Sequence, residues 1–294
     1  SLCYVSSDVV SSDLDMDPYE IPMNFGFPKF IFNRLVLKQC LRNVDAIACV
    51  SDTTRLRLEQ YSSAPVWRKG VRIYNCVEAQ PVCDSHSPLP NGNGDPFLLC
   101  VAQHRHNKNL PLLIRTFNRL LRSGQIGSNM KLIILGITAQ ATHTIYRLVS
   151  TLNLGENICS LAGLSEAELQ WCYTQCEGVV APSLTEGFGL PVAEGLLAGC
   201  RIVCSDIPAH REVADGQCRF VALGRDAEIR LAEAIVEVLK DPKGKPAALP
   251  QFSAPILAKQ YLNLYRRLIT SAAPVENAGP SASINVATSE RQSL

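Results

Sequence analysis

Two glutamates, Glu186 and Glu194, stand eight residues apart in the stretch from Ser183 to Gly199, SLTEGFGLPVAEGLLAG, with a Gly-Phe-Gly turn and Pro191 between them. Paired carboxylates do acid–base work, and glycoside hydrolases hold them roughly 5 to 9.5 Å apart across one bond. The local order of residues argues for another use. GVVAPS (178–183) reads as a strand and LTEGFG as a loop, and a helix begins at Leu190 or Pro191, because proline suits the first helical turn. Glu186 then sits on a loop at the carboxyl end of a strand, the edge where open α/β sheets bind ligands. Glu194 lies one turn into a helix that ends at Gly199. Gly187 and Gly189 let backbone N–H groups come close to a ligand, and the helix amino terminus favours an anion such as a diphosphate. Carboxylates separated in this way are expected to grip two ends of one long ligand. A nucleotide sugar fits, with Glu194 on the ribose, Glu186 on the sugar, and the amides around Phe188, Gly189 and Leu190 between them.

The elements that must position these residues follow from periodicity. From Pro96 onward, strand candidates FLLCVA (97–102), KLIIL (131–135), GVVAPS (178–183), RIVCS (201–205) and RFVA (219–222) alternate with helical stretches. Such alternation implies a parallel, doubly wound α/β sheet covered by helices on both faces. Before it, PKFIFNRLVLKQCLRNV, DAIACVS, TTRLRLEQY and VRIYN repeat the pattern more briefly, and residues 1–27 offer at most one strand, around LCYV. The expected organisation is a partial Rossmann-like domain at 1–80, a linker at 81–96 rich in Pro, Gly, Asn and Ser, and a second Rossmann-like domain at 97–271 closed by the helix PILAKQYLNLYRRLI. A tail at 272–294, without periodicity, is expected to be disordered.

Composition narrows the function. Lys and Arg total 28 against 27 Asp and Glu, a net charge of +1, so nothing electrostatic favours a nucleic-acid partner. No apolar run approaches the roughly 18 residues of a membrane span, and the first residues lack a signal peptide's pattern, so the cytoplasm is expected. None of the 12 cysteines forms a Cys-x-x-Cys pair, so no metal site is expected and the thiols are read as reduced. Cys49, Cys100 and Cys204 fall inside apolar runs and read as buried hydrophobes. A nicotinamide enzyme would need G-x-G-x-x-G after a strand, and that string does not occur.

The segment PSLTEGFGLPVAEGLLAGCRIVCSDIPAHREV resembles the signature of the family 4 retaining glycosyltransferases, which have the GT-B fold of two Rossmann-like domains facing across a cleft. VAQHRHNKNL (101–110) is similar to the same family, with Lys108 where it sets a lysine on the donor diphosphate. The family's arginine is replaced by Gln103, leaving Arg105 as the nearest second cation, flanked by His104 and His106. DAIACVSDTTRLRL and RIYNCVE resemble the end of the amino-terminal domain, where Ser51 and Asn75 line the cleft or shape its turns; Ser51 or Asp52 capping the next helix is the alternative. The resemblance covers about residues 14–271 and implies an amino-terminal domain shorter than the family's. Asp15 matches the second member of a His-Asp pair whose first place holds Leu14. It further implies a nucleoside diphosphate sugar donor, a glycan, lipid-linked or other hydroxyl acceptor, no metal, and work in the cytoplasm or at the inner face of the membrane. Lys108, Arg105 and the amides of Gly189 and Leu190 would stabilise the departing diphosphate.

Overall fold

In a computed structural model of the chain, the described residues are 5–6, 9–12, 20, 24, 28–78, 87–89 and 94–272. Leu14 and Asp15, most of the expected linker and the expected tail lie outside them. Two sheets form. The first runs β1-β2-β3-β4, from Val5–Ser6, Val9–Ser12, Ala46–Cys49 and Gly70–Arg72. Its first pair is antiparallel and the rest parallel. Residues 1–27 thus contribute two strands where the sequence reading allowed one. β2, VVSS, is too short for its alternation to stand out from the serines around it.

The second sheet is parallel throughout, in the order β10-β9-β8-β5-β6-β7. Its strands are β5 (Phe97–Val101), β6 (Lys131–Leu135), β7 (Ile158–Leu161), β8 (Gly178–Ala181), β9 (Ile202–Ser205) and β10 (Arg219–Val221). β7 is absent from the expected elements: it is a half-buried edge strand of four residues, so no continuous apolar run announces it. Strands on both faces of this sheet alternate. Leu98, Cys100, Leu132 and Ile134 pack toward α4 (Leu110–Arg122) and α9 (Ala227–Lys240), while Phe97, Leu99, Ile133 and Leu135 pack toward α6 (Glu166–Gln175), α7 (Leu190–Leu197) and α8 (Pro208–Ala214). α5 (Thr142–Thr151) completes the first layer through Ile145. Cys49, Cys100 and Cys204 are buried within strands, and burial pushes the thiols of Cys49 and Cys100 up to about 12, so they stay protonated packing groups.

The first sheet is sandwiched in the same way. α1 (Lys29–Asn43), α2 (Asp52–Tyr61) and α3 (Ala64–Trp67) cover one face through Leu37, Leu41, Leu58 and Val66. The other face is covered by the last helix, α10 (Ala254–Ala272), whose Leu257 and Leu264 lie on Ala46, Ala48 and Ile73. The sequence attaches this helix to the second domain, yet its apolar side, spaced Leu257, Tyr261, Leu264 and Leu268, serves the first.

Candidate functional site

In the second sheet β5 is followed on one side by β6 and on the other by β8, so the chain's direction of winding reverses between β5 and β8. A crevice opens outside the carboxyl ends of such a strand pair, because the connections leave in opposite directions. The loop after β5 carries Lys108 in a single 3-10 turn, His106–Lys108, and the loop after β8 carries Glu186. The two side chains meet. Lys108 Nζ lies 2.7 and 2.8 Å from the two carboxylate oxygens of Glu186, and Ser183 Oγ donates to one of them at 2.6 Å. Burial alone would push the Glu186 carboxyl up; the Lys108 ammonium and the two hydrogen-bond donors outweigh it and hold the group below the usual carboxylate range.

These residues border a cleft of about 500 Å³ that is also lined by Glu194, Gly189, Arg105 and Asn75. Glu194 is tied elsewhere, accepting a 2.6 Å hydrogen bond from the Tyr173 hydroxyl. Burial raises its carboxyl, with the Tyr173 bond pulling the other way. Glu186 and Glu194 therefore share a cleft but have separate partners and opposite shifts.

Gly189 caps α7 with φ +98°, a conformation that L side chains rarely adopt, and a Cβ there would stand 3.0 Å from the His210 ring. His210 Nδ1 donates to the Ser205 carbonyl at 2.9 Å, which leaves Nε2 as the acceptor of the neutral ring; burial keeps its pKa low. Among the described residues, the N–H groups of Gly187, Phe188, Gly189 and Leu190 have no hydrogen-bond partner, so the loop and the start of α7 present a row of donors. Gly189→Ala should cost about 1–2 kcal/mol for the left-handed conformation alone. Thermal melting would read the loss.

Other expected residues are distributed more widely. Phe188 borders the cleft, but its ring packs edge-on against Phe252 at 5.1 Å and against Tyr74 at 5.9 Å, so it is a buried anchor for the loop. His104 is buried with Nδ1 at 3.1 Å from the Thr142 hydroxyl and does not line the cleft; the His106 backbone N–H donates to Asn24. Ser51 does both things the sequence left open: its hydroxyl accepts the Thr54 N–H at the start of α2 and donates to the Gly187 carbonyl at 2.5 Å. Gln103 lines the cleft.

Sequence reasoning assigned no role to Tyr173, His210, Glu212, Arg57, Glu20 or Asn24. Arg57 reaches the Glu186 carbonyl at 2.8 Å, and Glu20 accepts from the Thr185 hydroxyl at 2.8 Å while pairing with Arg57. His210 and Glu212 stood inside the segment AHREV, where their register in a short helix was the available signal. Among the described residues no group of three His, Cys, Asp or Glu side chains is arranged to hold a metal.

The sequence model of the family described as glycosyl transferases group 1 matches residues 84–251, more than half of this chain. The chain belongs to that family. The chain is 24% identical over 227 residues to the O-antigen chain mannosyltransferase RfbU of Salmonella typhimurium, an alignment covering 77% of this chain and 60% of the relative. It is 29% identical over 137 residues to the MMP alpha-(1->4)-mannosyltransferase of Mycolicibacterium hassiacum, covering 43% and 33%. The chain therefore spans about 60% of the length of the first relative and a third of the second. Its fold is similar to that of Anabaena HepE in complex with UDP and glucose, with a TM-score of 0.67 at 16% identity over 84% of this chain and 69% of that one. Sucrose-phosphate synthase from Thermosynechococcus elongatus is similar at 0.65 and 20% identity, over 83% and 63%. The fold is GT-B, as the sequence resemblance implied.

Proposed function

We propose that this group 1 transferase moves a glycosyl unit from a nucleoside diphosphate sugar to an acceptor hydroxyl, with retention at the anomeric carbon. The observation that carries the reading is the largely buried Lys108–Glu186 pair at the reversal point between β5 and β8, beside the N–H groups of Gly187 to Leu190, which have no partner among the described residues. A cation and a row of amides aimed at one anion stabilise charge that grows on a leaving diphosphate. The bond from the anomeric carbon to the diphosphate oxygen breaks and its electron pair leaves with the diphosphate. The acceptor oxygen bonds to the same face of that carbon, and its proton passes to the departing phosphate. Lys108, Arg105 and the amides of Gly189 and Leu190 hold the diphosphate, Glu186 holds the sugar, and Glu194 takes the ribose hydroxyls. The step requires no protein nucleophile.

Relatives named as mannosyltransferases make GDP-mannose the first donor to test, and the O-antigen relative makes a polysaccharide chain end or lipid-linked sugar the first acceptor. No helix among the described residues is long and apolar enough to cross a membrane.

Isothermal titration with GDP-mannose, UDP-glucose and UDP-N-acetylglucosamine, paired with a transfer assay, tests the proposal. At least one donor should bind. Glu194→Ala should then weaken it by about 1.5–3 kcal/mol, the range for hydrogen bonds to a charged group, and should also cost about 1–3 kcal/mol of stability, because it strands the buried Tyr173 hydroxyl; Tyr173→Phe separates the two effects. Equal donor affinity in the variant would remove Glu194 from the ribose.

A further inference from the structure

The donor loop is held from the first sheet as well as the second. The opening N–H groups of a helix have no partner inside it. In α2, Ser51 accepts that of Thr54, but those of Asp52 and Thr53 donate to the two carboxylate oxygens of Glu212, at 2.6 and 3.0 Å, and the Thr53 hydroxyl adds a third bond at 2.9 Å. Glu212 lies on α8 beneath the second sheet, 160 positions along the chain from Asp52. A carboxylate at a helix amino terminus is favourably placed in the helix field, and its charge-assisted bonds are about twice as strong as neutral ones.

The same turn of α2 then grips the loop that carries Glu186. The Gly187 carbonyl accepts from the hydroxyls of Ser51 at 2.5 Å and Thr54 at 3.1 Å. Arg57 donates to the Glu186 carbonyl at 2.8 Å and to the Thr185 hydroxyl. In a trans peptide the C=O and N–H point in opposite directions. Tying the carbonyls of Glu186 and Gly187 to α2 therefore turns the N–H groups of Gly187 and Phe188 away from it, and neither has a partner among the described residues. Glu212 itself does not border the cleft.

We infer that Glu212 is a positioning residue for glycosyl transfer: by fixing the start of α2 it sets the direction of the loop amides that receive the donor diphosphate. The inference rests on the donor reading given above. Glu212 does not touch the loop; its effect passes through Ser51, Thr54 and Arg57 of the helix it caps and through Tyr74, whose hydroxyl meets its carboxylate and whose ring packs on Phe188 at 5.9 Å, so its removal should loosen residues 183–189 as well as that helix.

Hydrogen–deuterium exchange of the whole chain without donor, on the parent and on Glu212→Asp, Glu212→Gln and Glu212→Ala, provides the test. In Glu212→Ala, exchange at the bonded amides that flank the donor row, Leu184 to the Asn107 carbonyl and Val192 and Ala193 to the Gly189 carbonyl, should quicken about tenfold, inside the roughly 5–150-fold span of ordinary site couplings, while β5 and β8 keep the parent rate. Glu212→Gln should fall between, and Glu212→Asp should return toward the parent. With whichever nucleotide sugar the parent turns over, kcat should fall while KM moves little, the mark of an interaction strengthened in the transition state. Faster exchange confined to 52–61 would overturn the inference and leave Glu212 as a helix cap. Faster exchange everywhere in Glu212→Gln would also overturn it, as a plain loss of stability. The exchange arm needs no donor, so a parent that binds no nucleotide sugar would defeat the donor reading by itself and be seen as such.

Discussion

Lys108→Met should lower stability near neutral pH by about 3–5 kcal/mol, the usual loss when one partner of a buried ion pair is removed, and should reduce transfer by about a hundredfold to a thousandfold. The stability loss comes from what is left behind. Glu186 is almost wholly buried, and without the ammonium only the Ser183 hydroxyl bonds its carboxylate directly. Its carboxyl is depressed in the folded parent, so its contribution to stability is present above the unfolded carboxyl pKa and is lost as pH falls through the lower folded value. In the variant the same carboxyl is pushed up by burial, and protonation relieves it. The gap between parent and variant should therefore be widest near neutrality and shrink in acid. Urea denaturation at about pH 7 and about pH 4 would read this directly. Adding Glu186→Gln to Lys108→Met should restore much of the stability and none of the activity. A gap that did not change with pH would mean that the pair contributes packing rather than charge.

Gly136→Ala should be the most damaging single methyl in the second sheet. A Cβ at this position would stand 2.2 Å from the Ala102 carbonyl oxygen and 2.5 Å from its carbon, and both are backbone atoms that no rotamer change can move. The crowding is built in by the strand ends: Ala102 N–H donates to the Leu135 carbonyl at 2.7 Å and Gly136 N–H to the Leu161 carbonyl at 2.9 Å. Overpacking typically costs about 1–3 kcal/mol, and a clash with backbone should reach or pass the top of that range. At about 2–4 °C per kcal/mol for a chain of this size, melting should fall by about 6–12 °C or more. Gly155→Ala is the matched control, because its Cβ would meet nothing within 4 Å, and it should stay within about 0.5 kcal/mol. The displaced segment leads directly into Gln103, Arg105 and Lys108, so a surviving Gly136→Ala protein should also bind donor less well than its stability predicts.

What could be read from the sequence was what is local. Strand, glycine loop, proline and helix follow one another within 183–199, so the setting of Glu186 and Glu194 was legible from spacing. The second sheet was legible wherever a strand is an apolar run, and illegible at β7, whose edge position leaves Ile158–Leu161 half exposed. α9 went unread although Leu231, Ile235 and Val238 carry a helical spacing, because no motif drew notice to it. The partners that hold the site are distant in sequence. Lys108 and Glu186 are 78 positions apart, Arg57 and Glu186 129, and Glu212 and Asp52 160. Resemblance to a signature brought the first pair together; nothing in spacing pairs the others. Phe188 borders the cleft, as its place between two glycines suggested, while the packing of its ring on Tyr74 and Phe252 lies too far along the chain to be read from spacing.

The last helix alters how the molecule must be made. Ala46, Ala48 and Ile73 are covered on one side by Leu257 and Leu264 of α10, residues translated almost two hundred codons later. The ribosome therefore releases a finished second sheet while one flank of the first is still bare. During synthesis that flank stays open until Leu257 and Leu264 of α10 arrive to cover it.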